Sequence, residues 1–336
     1  MSKYVTIKDI AHELGISKST VSRALSGDSQ NVKADTMRLI CATADRMGYH
    51  RNEMAVSLRK QSSRNVGIII PEIVTSFYMN FISHAQALLH KNGYNVLIAA
   101  SNEDAGTERD NVRLMEQCMV DGLLMSVCDK ELNLPQYRQV MDRGVPIVFF
   151  DRTVEVESVS QVRLDDSIMS LFMVERLIRS GHRRIVHMPG PSRIRNGYDR
   201  LLGYREALGK FQIPYDPELV LQPALSAEEG SRVMEAFLGK GLDFDAVFGF
   251  TETALLGAKS AIQKHGLRIP EDVSLCCVSG TTLCTLVHPT ITAVEQPVEQ
   301  MADEACRLLL EHMADKDKKA EDVVLRGKIV CRESTK

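Results

Sequence analysis

No run of apolar residues in this 336-residue chain is long enough to span a bilayer, and the opening MSKYVTIKD lacks the hydrophobic core a secretory signal needs. Together these absences lead us to expect a cytoplasmic protein without a membrane partner. The eight cysteines include no C-x-x-C and no Cys/His spacing suited to zinc. They read as small, reduced core residues, the adjacent Cys276 and Cys277 included. G-x-G-x-x-G after a strand, G-x-x-x-x-G-K-[ST] and G-x-S-x-G are all missing, which removes the usual dinucleotide, phosphate-loop and serine-nucleophile sites. The nine histidines are scattered, and His182 and His187 read most simply as a helix-end and a strand residue. No cofactor, metal or catalysis is expected.

What is present is an ordinary globular composition, 44% hydrophobic and 25% charged, over a length that implies more than one domain. The charge is unevenly placed. Residues 1–64 carry 11 Lys and Arg against 6 Asp and Glu, while the remainder carries 30 against 38. A basic end on an acidic body suits nucleic-acid contact confined to that end.

Within the basic end, Val5 to Leu25 contains two short helical patterns meeting at Leu14-Gly15-Ile16. Thr6 with Asp9 reads as a capping box, and Ile10, Ala11 and Leu14 share one face. Gly15 can adopt φ > 0 and turn the chain sharply. Ser17 is the next N-cap, with Val21, Ala24 and Leu25 facing inward and Lys18, Ser19, Ser22 and Arg23 left outside. A helix-Gly-helix of this size is also found in plain αα-hairpins; the basic outer face points instead to a helix-turn-helix on DNA. A third helical pattern runs from about Lys33 to Met47, with Ile40, Cys41, Ala44 and Met47 on its apolar face.

The strings T-I-K-D-I-A, G-I-S and S-T-V-S-R-A-L closely resemble the DNA-binding headpiece of the LacI/GalR repressor family. The resemblance implies that Lys18, Ser19 and Arg23 meet base edges in the major groove while Thr6, Ser17, Thr20 and Ser22 sit on phosphates. It also makes Asn52–Lys60, too short for a stable isolated helix, a hinge helix ordered when two subunits meet on the operator. Leu58 then stands where the family wedges a leucine into the minor groove, with Asn52 and Ala55 in the surrounding pattern. Arg51 replaces the family's usual proline and adds a phosphate contact. A flexible linker with a stray leucine is the plain alternative.

From Val66 onward, short β-rich runs (VGIII, NVLIAA, GLLMSV, PIVFF, RIVHM, AVFGF, VSLCCV) alternate with helix-length amphipathic segments. Strands buried on both faces between helices mean α/β architecture with doubly wound parallel sheets. About 270 residues of it suggest two similar lobes. The division expected is a headpiece at 1–50, a hinge and linker at 51–64 and a body at 65–336. Within the body, the first lobe takes about 65–163 and 294–322, and the second about 164–293 and 323–336. The family resemblance implies the same fold, an all-α helix-turn-helix headpiece on a two-lobed body like that of periplasmic sugar-binding proteins.

Open α/β folds bind ligands at the carboxyl ends of their strands. Phe77 and Tyr78 follow the first strand, where they could stack on a ring or simply pack in the core. Asp151 and Arg152 follow PIVFF, either in the cleft or as a surface pair. Arg200 lies in DRLLGYREAL, which matches the family's R-x-x-G-[FY] motif, whose arginine forks onto effector oxygens. After AVFGF the family commonly has Asn-Asp, here Thr251-Glu252. At VSLCC, where it commonly has G-F-D-[DN], this chain has Cys277-Val278-Ser279-Gly280, so Ser279 replaces an aspartate. The reading is a homodimeric transcriptional regulator, a repressor, on a near-palindromic DNA operator, controlled by a small-molecule effector; a sugar is the leading candidate, and a nucleoside, a phosphorylated or acidic metabolite and a protein co-regulator stay open. A solute-binding protein of periplasmic type without DNA function is the alternative.

Overall fold

The structure, a computed structural model, describes residues 5–27, 30–49, 62–156 and 158–336. The chain divides into two compact units, residues 1–63 and 64–336. In the first, α1 (Ile7–Leu14), α2 (Lys18–Leu25) and α3 (Ala34–Met47) surround a thin core of Ile10, Ala11, Val21, Ala24, Val32, Ile40 and Ala44. Gly15 ends α1 in the left-handed region at φ 63° and ψ 28°. The Ile16 amide can then donate back to the Ala11 carbonyl at 3.0 Å, satisfying a helix-end acceptor. Cys41 is exposed rather than on the apolar face of α3, which buries Ile40, Thr43 and Ala44 and packs Met37 and Met47 against the other helices. Cys118 and Cys331 are exposed too, so the expectation of eight core cysteines holds for five; all eight are free thiols.

The second unit is built on two sheets. β-branched runs such as Asn65–Ile70 extend because Val and Ile pack well on a pleated, buried surface. The first sheet contains β1 (Asn65–Ile70), β2 (Asn95–Ala100), β3 (Gly122–Met125), β4 (Ile147–Phe150), β5 (Ser160–Leu164) and β10 (Asp322–Leu325). Its order is β10-β5-β4-β3-β1-β2, parallel throughout. The second contains β6 (Ile185–Met188), β7 (Ala246–Gly249), β8 (Ser274–Cys277), β9 (Thr292–Glu295) and β11 (Lys328–Val330). Its order is β11-β9-β8-β7-β6, with only β11 antiparallel. Each sheet separates two apolar clusters, one per face.

Ser160–Leu164 is a full strand of the first sheet, so the chain leaves that sheet at Asp165, beside the boundary expected at about 163. Two details depart from the sequence reading. The segment after Val323 does not go directly to the second lobe, since Asp322–Leu325 first pairs with β5; the crossing comes between Leu325 and Lys328. β2 is not buried on both faces, because it sits at the sheet edge, with Ile98 45% exposed. A helix at Leu134–Asp142 and another at Val298–Ala314 complete the first lobe's cover. Among the described residues no helix is long and apolar enough to cross a membrane.

On one face of the second sheet, the helices Asp166–Arg179 and Arg195–Lys210 cross closely. The contact runs through Gly203, where a Cβ would lie 2.1 Å from the Ser167 carbonyl oxygen. No side chain fits there, and the approach brings Arg200, one turn earlier, down to Asp166. Gly203→Ala should therefore cost about 3 kcal/mol or more in urea denaturation, the upper range for overpacking, because backbone rather than a side chain must yield. A loss under about 1 kcal/mol would mean the helices are not in this contact.

Candidate functional site

In the hairpin, α2 presents Lys18, Ser19 and Arg23 fully exposed, with Thr20 and Ser22 half-buried. Ser17 Oγ accepts from the Thr20 amide at 3.1 Å and lies 2.7 Å from Ser19 Oγ and 2.8 Å from Thr20 Oγ1. The first turn of α2 holds no acidic residue. Its free amides, the helix dipole, Lys18 and these hydroxyls thus face outward together, a suitable seat for a phosphate. Thr6 is committed locally, since its amide and hydroxyl donate to Asp9 Oδ2 at 2.8 and 2.7 Å. Arg51, Asn52, Ala55 and Leu58 lie outside the described residues.

In the body, Phe77, Tyr78, Asp151, Arg152, Arg200, Thr251, Glu252 and Ser279 all line one cavity of about 40 Å³. Strand ends deliver most of them. Asp151 and Arg152 follow β4, Thr251 caps the helix after β7, and Ser279 follows β8. Asp151 at φ 56° and Ser279 at φ 60° both sit in the left-handed region, strain that non-glycine residues adopt at a cost. Asp151 and Arg152 are buried, not a surface pair, and Phe77 and Tyr78 both pack in the core and border the cavity.

Neither arginine points a free fork into this space. Arg200, 1% exposed, donates from Nε to Asp166 Oδ1 at 2.7 Å and from Nη1 to the Phe250 carbonyl at 2.5 Å. Its guanidinium carbon lies 4.3 Å from the centre of the Phe250 ring. Arg152 Nη1 donates to both Glu103 oxygens, at 2.7 and 2.9 Å. The Tyr78 hydroxyl donates to Asp151 Oδ2 at 2.7 Å.

Burial raises three carboxyls here. Desolvation pushes Glu252 up to about 7, with Glu72 adding repulsion while the Thr281 hydroxyl, donating at 2.9 Å, and Arg200 oppose it. Desolvation likewise lifts Asp166 to about 6 against the pull of Arg200, and raises Asp151 against Arg152 and the Tyr78 hydrogen bond.

Glu72, Thr75, Asn196, Phe250 and Gln296 also line the cavity and were not singled out from the sequence. Asn196 had a signal, lying four residues before Arg200 and so on the same helical face. Glu72 follows VGIIIP and Gln296 follows TAVE, so the strand-end rule would have reached both had TAVE been recognised as a strand.

A raised carboxyl makes the folded chain bind more protons than the unfolded one. The stability it contributes is fully present below the unfolded value near 4.3 and is lost as pH rises through the folded value. For Glu252 that window closes at about 7. Glu252→Gln should be more stable than the parent at about pH 8, on the order of 2 kcal/mol, and close to it at about pH 5. Urea denaturation at both pH values checks this, and equal effects at both would contradict the buried, uncompensated carboxylate.

Comparison with known proteins agrees with this anatomy. Residues 6–52 match the model for bacterial regulatory proteins of the lacI family, and residues 174–335 that for a periplasmic binding protein-like domain. Over 336 residues the chain is 30% identical to the HTH-type transcriptional regulator CelR of Thermobifida fusca, covering 98% of each. Over 334 residues it is 28% identical to the HTH-type transcriptional regulator RegA of Clostridium saccharobutylicum, covering 98% of this chain and 99% of that one. The structure of a CelR–cellobiose complex superposes with TM-score 0.76 at 28% identity, covering 98% of this chain and 99% of that one. The Lac repressor dimer bound to operator and the anti-inducer ONPF shares the fold, with TM-score 0.83 at 22% identity over 99% of both chains. An exposed basic hairpin, a two-sheet α/β body and relatives aligned from end to end lead to one conclusion: the chain belongs to the LacI family of DNA-binding transcriptional regulators.

Proposed function

We propose that this regulator binds a near-palindromic operator as a homodimer and acts as a repressor. Residues 1–50 form the DNA-reading unit, 51–64 the hinge and 65–336 the ligand-responsive body. The observation that carries the reading is α2's outward face, where Lys18, Ser19 and Arg23 are exposed beside a helix N-terminus free of acidic side chains. Lys18, Ser19 and Arg23 meet base edges, while Ser17, Thr20, Ser22 and Arg51 hold the phosphates; Thr6, expected among them, spends its amide and hydroxyl on Asp9. Asn52, Ala55 and Leu58 belong to a hinge helix whose leucine wedges into the minor groove at the symmetry centre.

The body takes a small hydroxylated effector, a sugar or sugar derivative, through Phe77, Tyr78, Asp151, Arg152, Arg200, Thr251, Glu252 and Ser279, and releases it unchanged. The relative CelR, solved with cellobiose, supports this class. The cavity of about 40 Å³ adjoins another of about 320 Å³ through Phe77, Ser279 and Gln296, and a relative movement of the two lobes adapts this space to the effector. That movement is the means of control. Its effect on DNA is limited to the effector's differential affinity for the two lobe arrangements.

Selection from randomised symmetric duplexes tests the reading. An enriched palindrome bound with steep salt dependence is expected, and no preference over random sequence would refute it and leave a solute-binding protein without DNA function. Lys18→Ala should weaken binding by about 1–3 kcal/mol and relax preference at one half-site position. Leu58→Ala should lose affinity together with the DNA bend, as read by gel mobility of circularly permuted fragments, and an unchanged bend would exclude the wedge.

A further inference from the structure

Carboxyls outnumber guanidiniums in the cavity wall. Glu72, Asp151 and Glu252 line it against Arg152 and Arg200, and those two guanidiniums are held by Glu103 and Asp166. The Tyr78 hydroxyl proton is committed to Asp151, and the Gln296 amide nitrogen donates to Ser279 Oγ at 2.6 Å. Meanwhile Gln296 Oε1 and Asn196 Oδ1, the latter on a side chain only 3% exposed, accept no hydrogen bond from the protein. Buried acceptors without donors are costly, and a buried carboxylate without a countercharge more so. The ligand must bring what the wall lacks.

We propose that the effector is a small hydroxylated molecule carrying a protonated amine, whose ammonium sits against Glu252. The inference rests on the effector-binding reading above and narrows it. A phosphate or carboxylate would face carboxylates on several sides, with each arginine already paired to a carboxylate of the protein. A neutral sugar could donate hydroxyl protons but would bring no countercharge to Glu252. Phe77 and Phe250 also line the cavity, and the Phe250 ring already carries the Arg200 guanidinium.

Binding should also depend on pH. The groups facing Glu252 are Arg200 and Glu72, with the Thr281 hydroxyl donating to it and Cys277 and Cys284 beside it. Because Glu252 takes up a proton near pH 7, its attraction for an ammonium is present above that pH and lost as pH falls through it. Loss of the amine's own proton limits binding at higher pH.

The full-length protein is titrated calorimetrically with glucose, galactose and mannose, each as the free sugar, the 2-amino sugar, the 2-acetamido sugar and the 6-phosphate. At about pH 7.5 at least one amino sugar should bind about tenfold or more tighter than its three counterparts, and about tenfold weaker at about pH 5.5. Glu252→Gln should erase the preference for the amine, and thermal unfolding of that variant confirms that it is folded. Asp151→Asn serves as a second variant and should reduce the preference in the same direction. Tighter binding of a neutral sugar or a phosphate, no binding of any amine, or an amine preference intact in both variants would overturn the proposal. Operator binding by the same preparation is measured separately. Failure there, with amine binding intact, overturns the regulator reading alone, and operator binding with a preference for anions overturns this inference alone.

Discussion

Arg200 is the charge on which the cleft is built. Taking a guanidinium out of water costs several kcal/mol, and it is tolerated only where charge and hydrogen bonds replace the lost hydration. Here Asp166 supplies the charge, the Phe250 carbonyl a second acceptor and the Phe250 ring a face for the cation. These partners come from the first turn of one helix and from the residue that follows β7, so the arginine ties two elements of the second lobe together at the cleft wall. Removing either member of such a pair leaves the other charge buried alone.

The pair requires the helix crossing at Gly203, since any Cβ there would drive the two helices apart and Arg200 away from Asp166. On the other side of the cavity, Arg152 is held by Glu103 in the same manner, and Glu103 is shared with Arg193 at 3.4 Å. Both arginines are thereby tied into the scaffold, and carboxyls outnumber them in the cavity wall. Burial raises the carboxyls of this wall, and the paired arginines pull them back only in part.

Much of this anatomy could be read from residue order. Thr6 with Asp9, Gly15 and Ser17 mark the helix ends of the hairpin, because capping and positive φ are local demands met by local residues. VGIII, PIVFF and AVFGF mark strands because a stretch buried on both faces must be apolar throughout. The cavity's eight anticipated residues come from the strand-end rule and from the R-x-x-G-[FY] match. SQVRL, TAVE and DVVL escaped, since a short strand mixing polar and apolar residues carries no continuous apolar signal.

By itself, then, the sequence determined where helices begin and end in the hairpin, which runs are buried strands and which residue types gather at their ends, because each depends on neighbours within a few positions. Only the tertiary structure decided which carboxylate meets which arginine. Asp166 and Arg200 are 34 positions apart, Glu103 and Arg152 are 49, and nothing in either neighbourhood names the partner. Coulomb attraction and desolvation depend on distance and burial in space. The sign of the cleft's unspent charge could therefore appear only once the two sheets and their helices had brought those groups together.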